Sequence, residues 1–189
     1  TLYLPERTIT MLPPEAVEIA ALGLSEESPA LSFGIKISEQ GTIEETTIAP
    51  SLVRVTRMNY AEADELLKSG DALLLALDEL ARQRHARRSA NGAVDIDLPE
   101  TSIRVTENIP SFFPIAPARS SEIVREMMLL AGEAAARWAR QRSIPFVYSS
   151  QEAPQLSATT TLCNEGPAVL SEQYLRRKGM RASITGTEA

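Results

Sequence analysis

A chain of 189 residues, 43% hydrophobic and 23% charged, has the makeup of one soluble globular domain and can bury roughly 70% of its unfolded surface. Its net charge of −6 excludes nucleic-acid binding driven by overall charge, and it holds no apolar run long enough to span a bilayer. The single Cys163 has no internal disulfide partner, which suits a reducing cytoplasm or an organelle stroma.

The charge is uneven. Acid dominates the first half, whereas Arg82, Arg84, Arg87 and Arg88 crowd one segment and Arg176, Arg177, Lys178 and Arg181 another. Thr1 is not an initiator Met and the ends lack caps, so the chain reads as a piece of a longer protein, open at both ends.

In chain order, residues 1–13 are extended, because Pro5 and Pro13 exclude a helix across them. A short helix is expected from Pro14 to Leu22, stopped by Gly23. Leu31, Phe33, Ile35 and Ile37 alternate with polar residues, as a half-buried strand does. Residues 39–41 turn, and a second strand runs from Ile43, bends at Pro50 and continues through Leu52, Val53 and Val55. The pair makes an antiparallel hairpin with one wet face.

Tyr60 opens a helix closed by Gly70, and a second helix spans 71–90 with Leu73, Leu77, Leu80 and Arg84 on one line. Its basic end, 82–88, reads on pattern alone as a solvated face rather than an RNA contact. His85 is the only histidine and reads as surface. Gly92 ends the helix. Residues 93–100 and 102–105 read as short strands, and 108–118 as a proline-studded crossing with Phe112 and Phe113.

The dominant element is a helix over 120–142. Ile123, Met127, Leu130, Ala134 and Trp138 give it an unbroken apolar face, with Ser120 or Ser121 as N-cap. It should be the most buried element of a mixed α and β fold. Residues 144–148 read as a buried strand. Beyond Tyr148 the sequence is loop-like, apart from a short basic helix at 174–180.

Little chemistry is visible in the residues alone. Asp95 and Asp97 on one strand face are compatible with a metal, although two such carboxylates are more often plain polar positions. No Ser/His/Asp set, Cys/His cluster or glycine-rich phosphate loop is present in the sequence.

An ordered set of short motifs carries more. Tyr3-Leu4-Pro5-Glu6-Arg7 followed by Met11-Leu12-Pro13 resembles the YLP(D/E)R…MLP element of the ribonuclease II family of 3′→5′ exoribonucleases. Ala30 to Phe33 and the hairpin after it are similar to that family's next strand pair. The Arg-rich helix leading into Gly92 to Glu100 resembles R…GAxDFDLPE, Ile123 to Ala131 resembles IEEFMLLAN, and Ile144 to Tyr148 resembles the strand that follows. Met180 to Ser183 looks like the segment before PHFGL.

The resemblance implies an α+β fold of mixed helices and antiparallel strands, with residues 1–189 forming part of an RNB catalytic domain truncated at both ends. It implies processive, Mg²⁺-dependent hydrolysis of single-stranded RNA from the 3′ end to nucleoside 5′-monophosphates. The family's aspartate cluster for magnesium precedes YLP and its arginine-bearing segment follows PHFGL, so the resemblance puts both outside this chain. The isolated chain is therefore expected not to cleave RNA.

Carried over residue by residue, the resemblance gives RNA contacts at Tyr3, Tyr60, Ile96, Arg125 and Glu126. Tyr3 matches a tyrosine beside the terminal nucleotide, and Tyr60 one near the 3′ end. Ile96 falls where the family has an aromatic ring between two aspartates, and it can pack on a base without stacking. Glu126 keeps the second acid of IEEFM. Arg125 departs from the first, which in the family helps to read the ribose. Gly132 and residues 149–151 also depart, in a way similar to a cyanobacterial and plastid-like branch.

The favoured reading is an exoribonuclease of the cytoplasm or plastid stroma. The alternatives are a non-catalytic RNA-binding relative that has lost its metal site, and a structural α/β domain.

Overall fold

A computed structural model describes residues 2–5, 7–93, 101–106, 109–150 and 184–186. The sequence readings at 94–100, with Asp95, Ile96 and Asp97, and at 151–183, with the basic helix, lie outside the described residues.

The elements run β1 (Leu2–Tyr3), β2 (Thr8–Ile9), α1 (Pro14–Ala20), β3 (Ser28–Ile37), β4 (Ile43–Val53), α2 (Tyr60–Ser69), α3 (Ala72–Ala90), β5 (Thr101–Thr106), β6 (Ile109–Pro114), α4 (Arg119–Gln141), β7 (Tyr148–Ser150) and β8 (Ile184–Gly186). The strands pair as β1-β2, β3-β4, β5-β6 and β7-β8. This is the expected mixture of helices and antiparallel strands. The described residues fall into two compact units, one drawn from 1–34, 47–74 and 99–121, the other from 35–46, 75–98 and 122–189.

In the first unit, the extended start folds back on itself, with Leu2 opposite Ile9 and Tyr3 opposite Thr8. Helix α1 begins at Pro14, where a missing N–H is harmless, and ends at Ala20, short of the expected Leu22. Buried Ser28 explains the early stop. Its hydroxyl donates to the Ala21 carbonyl at 3.4 Å and accepts from the Gly23 amide at 3.1 Å, which draws the chain out of the helix.

Strand β4 continues through Pro50 and ends at Val53, short of the expected Val55. A two-stranded sheet has open edges, and a proline nitrogen can face one without removing a ladder bond. The same physics corrects the reading of 108–118 as a crossing. Residues 109–114 form β6, with Ile103 opposite Phe112 and Val105 opposite Pro110. Pro110 and Pro114 lie four residues apart, so both missing donors fall on one edge of the strand.

Helix α2 starts with a reciprocal cap. The Glu62 amide donates to Asn59 Oδ1 at 2.9 Å and the Asn59 amide donates to Glu62 Oε2 at 2.8 Å. It stops at Gly70, whose φ of 89° only glycine adopts without penalty, as the Asp71 amide reaches back to the Leu66 carbonyl.

The second unit holds the apolar core. Ile43, Leu130 and Ala134 are buried together, with Ile35, Ile37 and Met127 packed against them. The alternation predicted for β3 is therefore realised only near its turn, since Leu31 and Phe33 are exposed. Among the described residues, helix α4 buries Ser120, Ile123, Glu126, Leu130, Ala134 and Ala139, more than any other element. Met127 and Trp138 are half-buried, so none of the five face residues named from the sequence is exposed. Arg142 covers the Trp138 ring at 4.4 Å.

Helix α4 ends through Ser143 in the left-handed region (φ 52°), with the Ser143 amide on the Arg140 carbonyl and the Ile144 amide on the Ala139 carbonyl. The strand expected at 144–148 begins only at Tyr148, and Ile144, Phe146 and Val147 are exposed. Tyr148 to Ser150 pair with Ile184 to Gly186, a partner far along the chain that local pattern does not reveal.

Candidate functional site

The residues singled out from the sequence lie on three elements. Tyr3 is in β1, opposite Thr8. Tyr60 is the first residue of α2 and is 50% exposed. Arg125 and Glu126 are neighbours on α4, with Arg125 Nε 3.9 Å from Glu126 Oε1. Ile96 lies outside the described residues. Tyr3 and Tyr60 belong to the first unit, Arg125 and Glu126 to the second.

The backbone around Tyr60 is anchored at two points. The reciprocal cap fixes the residue before it. Asp64, one helical turn on, reaches the start of α4: the Ser120 amide donates to Asp64 Oδ1 at 2.8 Å and the Arg119 amide to Oδ2 at 3.2 Å. The Ser120 hydroxyl donates to the Tyr60 carbonyl at 3.0 Å. The expected N-cap at Ser120 or Ser121 is thus replaced by a carboxylate from another helix, a stronger acceptor for the unpaired amides of a helix start. The Ser120 hydroxyl beside it, then the Ser120 amide and that of Arg119, hold the Asp64 carboxyl below its ordinary value.

Glu126 is 2% exposed, and Arg88 grips both its oxygens: Nε donates to Oε2 at 3.0 Å and Nη2 to Oε1. Arg125 also pairs with Glu122 and is 45% exposed along its side chain.

One turn before Arg88, Arg84 is 2% exposed, donating from Nη1 to the Gly41 carbonyl at 2.6 Å and from Nη2 to Glu133. Glu133 also takes Arg137 at 2.6 Å. The reading of 82–88 as a solvated face is overturned for Arg84 and Arg88, whose charges are consumed by carboxylates on α4. His85, expected at the surface, is half-buried. The missed signal was Glu126 and Glu133, seven residues apart and so on one helix face, against Arg84 and Arg88, four apart on another.

Beside this network, Glu39, Gln40, Gln83, Ala86, Arg87, Ala90 and Asn91 line an open depression of about 410 Å³. Among the described residues no three His, Cys, Asp or Glu side chains converge as a metal site would require. Among the same residues no helix is long and apolar enough to cross a membrane.

The fold is similar to part of the fold of known RNase R-type exoribonucleases. It superimposes on Mycoplasma genitalium RNase R in complex with double-stranded RNA with a TM-score of 0.73 at 16% identity, over 92% of this chain and 39% of that one. On the Dss1 exoribonuclease of Candida glabrata the TM-score is 0.74 at 20% identity, over 98% of this chain and 29% of that one. At these identities the likeness concerns the fold alone.

The RNB domain matches residues 1–186, and the chain belongs to that family. It is 35% identical to an uncharacterised ribonuclease of Synechocystis over 97% of its own length, and 32% identical to the chloroplastic/mitochondrial ribonuclease II of Arabidopsis thaliana over 80%. It spans 28% and 20% of the lengths of those two relatives.

Proposed function

We propose that the chain is part of the body of a 3′→5′ exoribonuclease that degrades single-stranded RNA processively to nucleoside 5′-monophosphates. The observation that carries this is the RNB match over residues 1–186. On this reading water adds to the phosphorus of the last phosphodiester. The bond from that phosphorus to the upstream 3′-oxygen breaks, and the shortened RNA keeps a 3′-hydroxyl. The full protein needs Mg²⁺, held by carboxylates other than the described ones. It works in the cytoplasm or a plastid stroma, and the chloroplastic/mitochondrial name of the Arabidopsis relative fits the second.

Within this chain, Tyr3 stacks on the terminal base and Tyr60 contacts the RNA near its 3′ end; a ring accepts any base, as a general degrader requires. Ile96 packs on a base. Arg125 stands where an acid would read the ribose, so its cation meets the sugar-phosphate chain by charge. Glu126, with both oxygens on Arg88, contributes by orienting Arg125 and the end of α3.

The test is the full protein on a 3′-labelled single-stranded RNA. Release of labelled mononucleotide, abolished by EDTA and restored by Mg²⁺, is expected. Binding of the RNA with no product under any divalent ion would make the protein a non-catalytic relative.

A further inference from the structure

We propose that Asp64 and Ser120 are positioning residues for Tyr60, a clamp that sets where its ring meets RNA. This rests on the reading of Tyr60 as an RNA contact.

Three hydrogen bonds join the first five residues of α2 to the first turn of α4: Arg119 and Ser120 amides on the two Asp64 oxygens, and the Ser120 hydroxyl on the Tyr60 carbonyl. Tyr60 and Asp64 are four residues apart, so they share one helix face. The clamp is buried at Ser120, 5% exposed, while Tyr60 keeps half its surface in solvent. The backbone that carries the ring is thus held while the ring stays free to meet a ligand.

The Asn59–Glu62 cap already satisfies the start of α2, so the helix does not need Ser120 to form. What Ser120 adds is a fixed position for the Tyr60 carbonyl. A ring delivered on a fixed backbone loses less freedom on stacking than one on a fraying helix end, and that difference appears as affinity.

The experiment is a double-mutant cycle in the full protein, with affinity for a fluorescent single-stranded oligoribonucleotide as readout and thermal midpoint as control. Tyr60→Ala should weaken binding about 5- to 150-fold. Ser120→Ala, which removes the hydroxyl that faces the Tyr60 carbonyl and Asp64 while leaving the backbone amides on Asp64 in place, should weaken it about 2- to 10-fold in the native background. Asp64→Asn should act in the same direction. In the Tyr60→Ala background neither change should weaken binding further.

A clamp with a merely structural role would lower affinity equally in both backgrounds, and such additivity overturns the proposal. So does an unchanged affinity in Ser120→Ala and Asp64→Asn alongside a weakened Tyr60→Ala, an outcome that leaves Tyr60 as an RNA contact. If Tyr60→Ala itself binds like the native protein, the RNA-contact reading fails and the clamp proposal falls with it. Should Asp64→Asn unfold, Ser120→Ala decides alone.

Discussion

Arg88 donates from Nε to Glu126 Oε2 at 3.0 Å and from Nη2 to Oε1, closing a two-pronged pair between α3 and α4. The two partners are not equally buried: the Arg88 side chain is 27% exposed and that of Glu126 is 2%. Removing one partner therefore has a different consequence from removing the other. Glu126→Gln leaves a guanidinium that can turn to water, and should cost about 1–2 kcal/mol. Arg88→Ala strands a buried carboxylate, and should cost about 3–5 kcal/mol, less whatever Arg125 recovers from 3.9 Å away. Denaturant unfolding of the two variants, compared at constant m, checks the order; equal losses would mean that water already reaches Glu126.

Gly41 and Arg84 give a second prediction. The Gly41 carbonyl accepts from Arg84, and its φ is +71°. A Cβ there would meet its nearest atoms at 3.6 and 3.7 Å, ordinary contact distances, so space is not the obstacle. The left-handed backbone is. Gly41→Ala should cost about 1–2 kcal/mol, from conformation rather than collision. Arg84→Lys keeps the charge but cannot serve Gly41 and Glu133 with one planar fork, and should cost about 1–3 kcal/mol. Thermal unfolding of both variants checks this. A larger loss for Gly41→Ala than for Arg84→Lys would mean the turn, not the ion pair, fixes the hairpin.

These two pairs mark the border of what the sequence discloses. The helices were legible because Ile123, Leu130 and Ala134 recur at helical spacing and Gly70 and Gly92 punctuate. The end of α4 was less so, because Ser143 does there what a glycine usually does. Strand β6 was hidden by prolines that an edge tolerates, and β8 by the distance along the chain to its partner. Arg84 and Arg88 looked solvated because their carboxylate partners on α4 sit 49 and 38 residues away. Tyr60 was legible as a helix start, but its fixing through Asp64 and Ser120 joins residues 55 to 60 positions apart. Local periodicity carries no record of such bonds.

The Asp64 clamp should show in the pH dependence of stability. Its carboxyl is held below the ordinary value of 3.8 by hydrogen bonds from Ser120 and then Arg119. A depressed folded-state pKa means that the stabilisation is fully present above that ordinary value. It is lost as pH falls through the lower folded-state value. The informative quantity is the difference between the native protein and the Asp64→Asn variant, because it isolates this one carboxyl. The native protein should melt higher from pH 7 down to about pH 4, by a constant margin, and the two should converge below that. A margin that stays constant down to about pH 2 would mean that the Asp64→Asn variant has lost something other than charge.

The last prediction concerns Tyr3, which lies in β1 opposite Thr8 and is proposed to stack on the terminal base of the RNA. One stacked base contributes about 1–3 kcal/mol. A long RNA also has many phosphate contacts, whose sum sets its affinity and salt dependence. A short product has few of them, so the single stack is a large share of what holds it. Tyr3→Ala in the full protein should leave affinity for a long RNA nearly unchanged, while digestion stops early and the final fragment is longer. The measurement uses one labelled single-stranded RNA and reads both affinity and end-product length for native and variant protein. An unchanged fragment length together with a large loss of long-RNA affinity would move Tyr3 away from the terminal nucleotide. It would leave the family fold intact while refuting that residue's proposed contact.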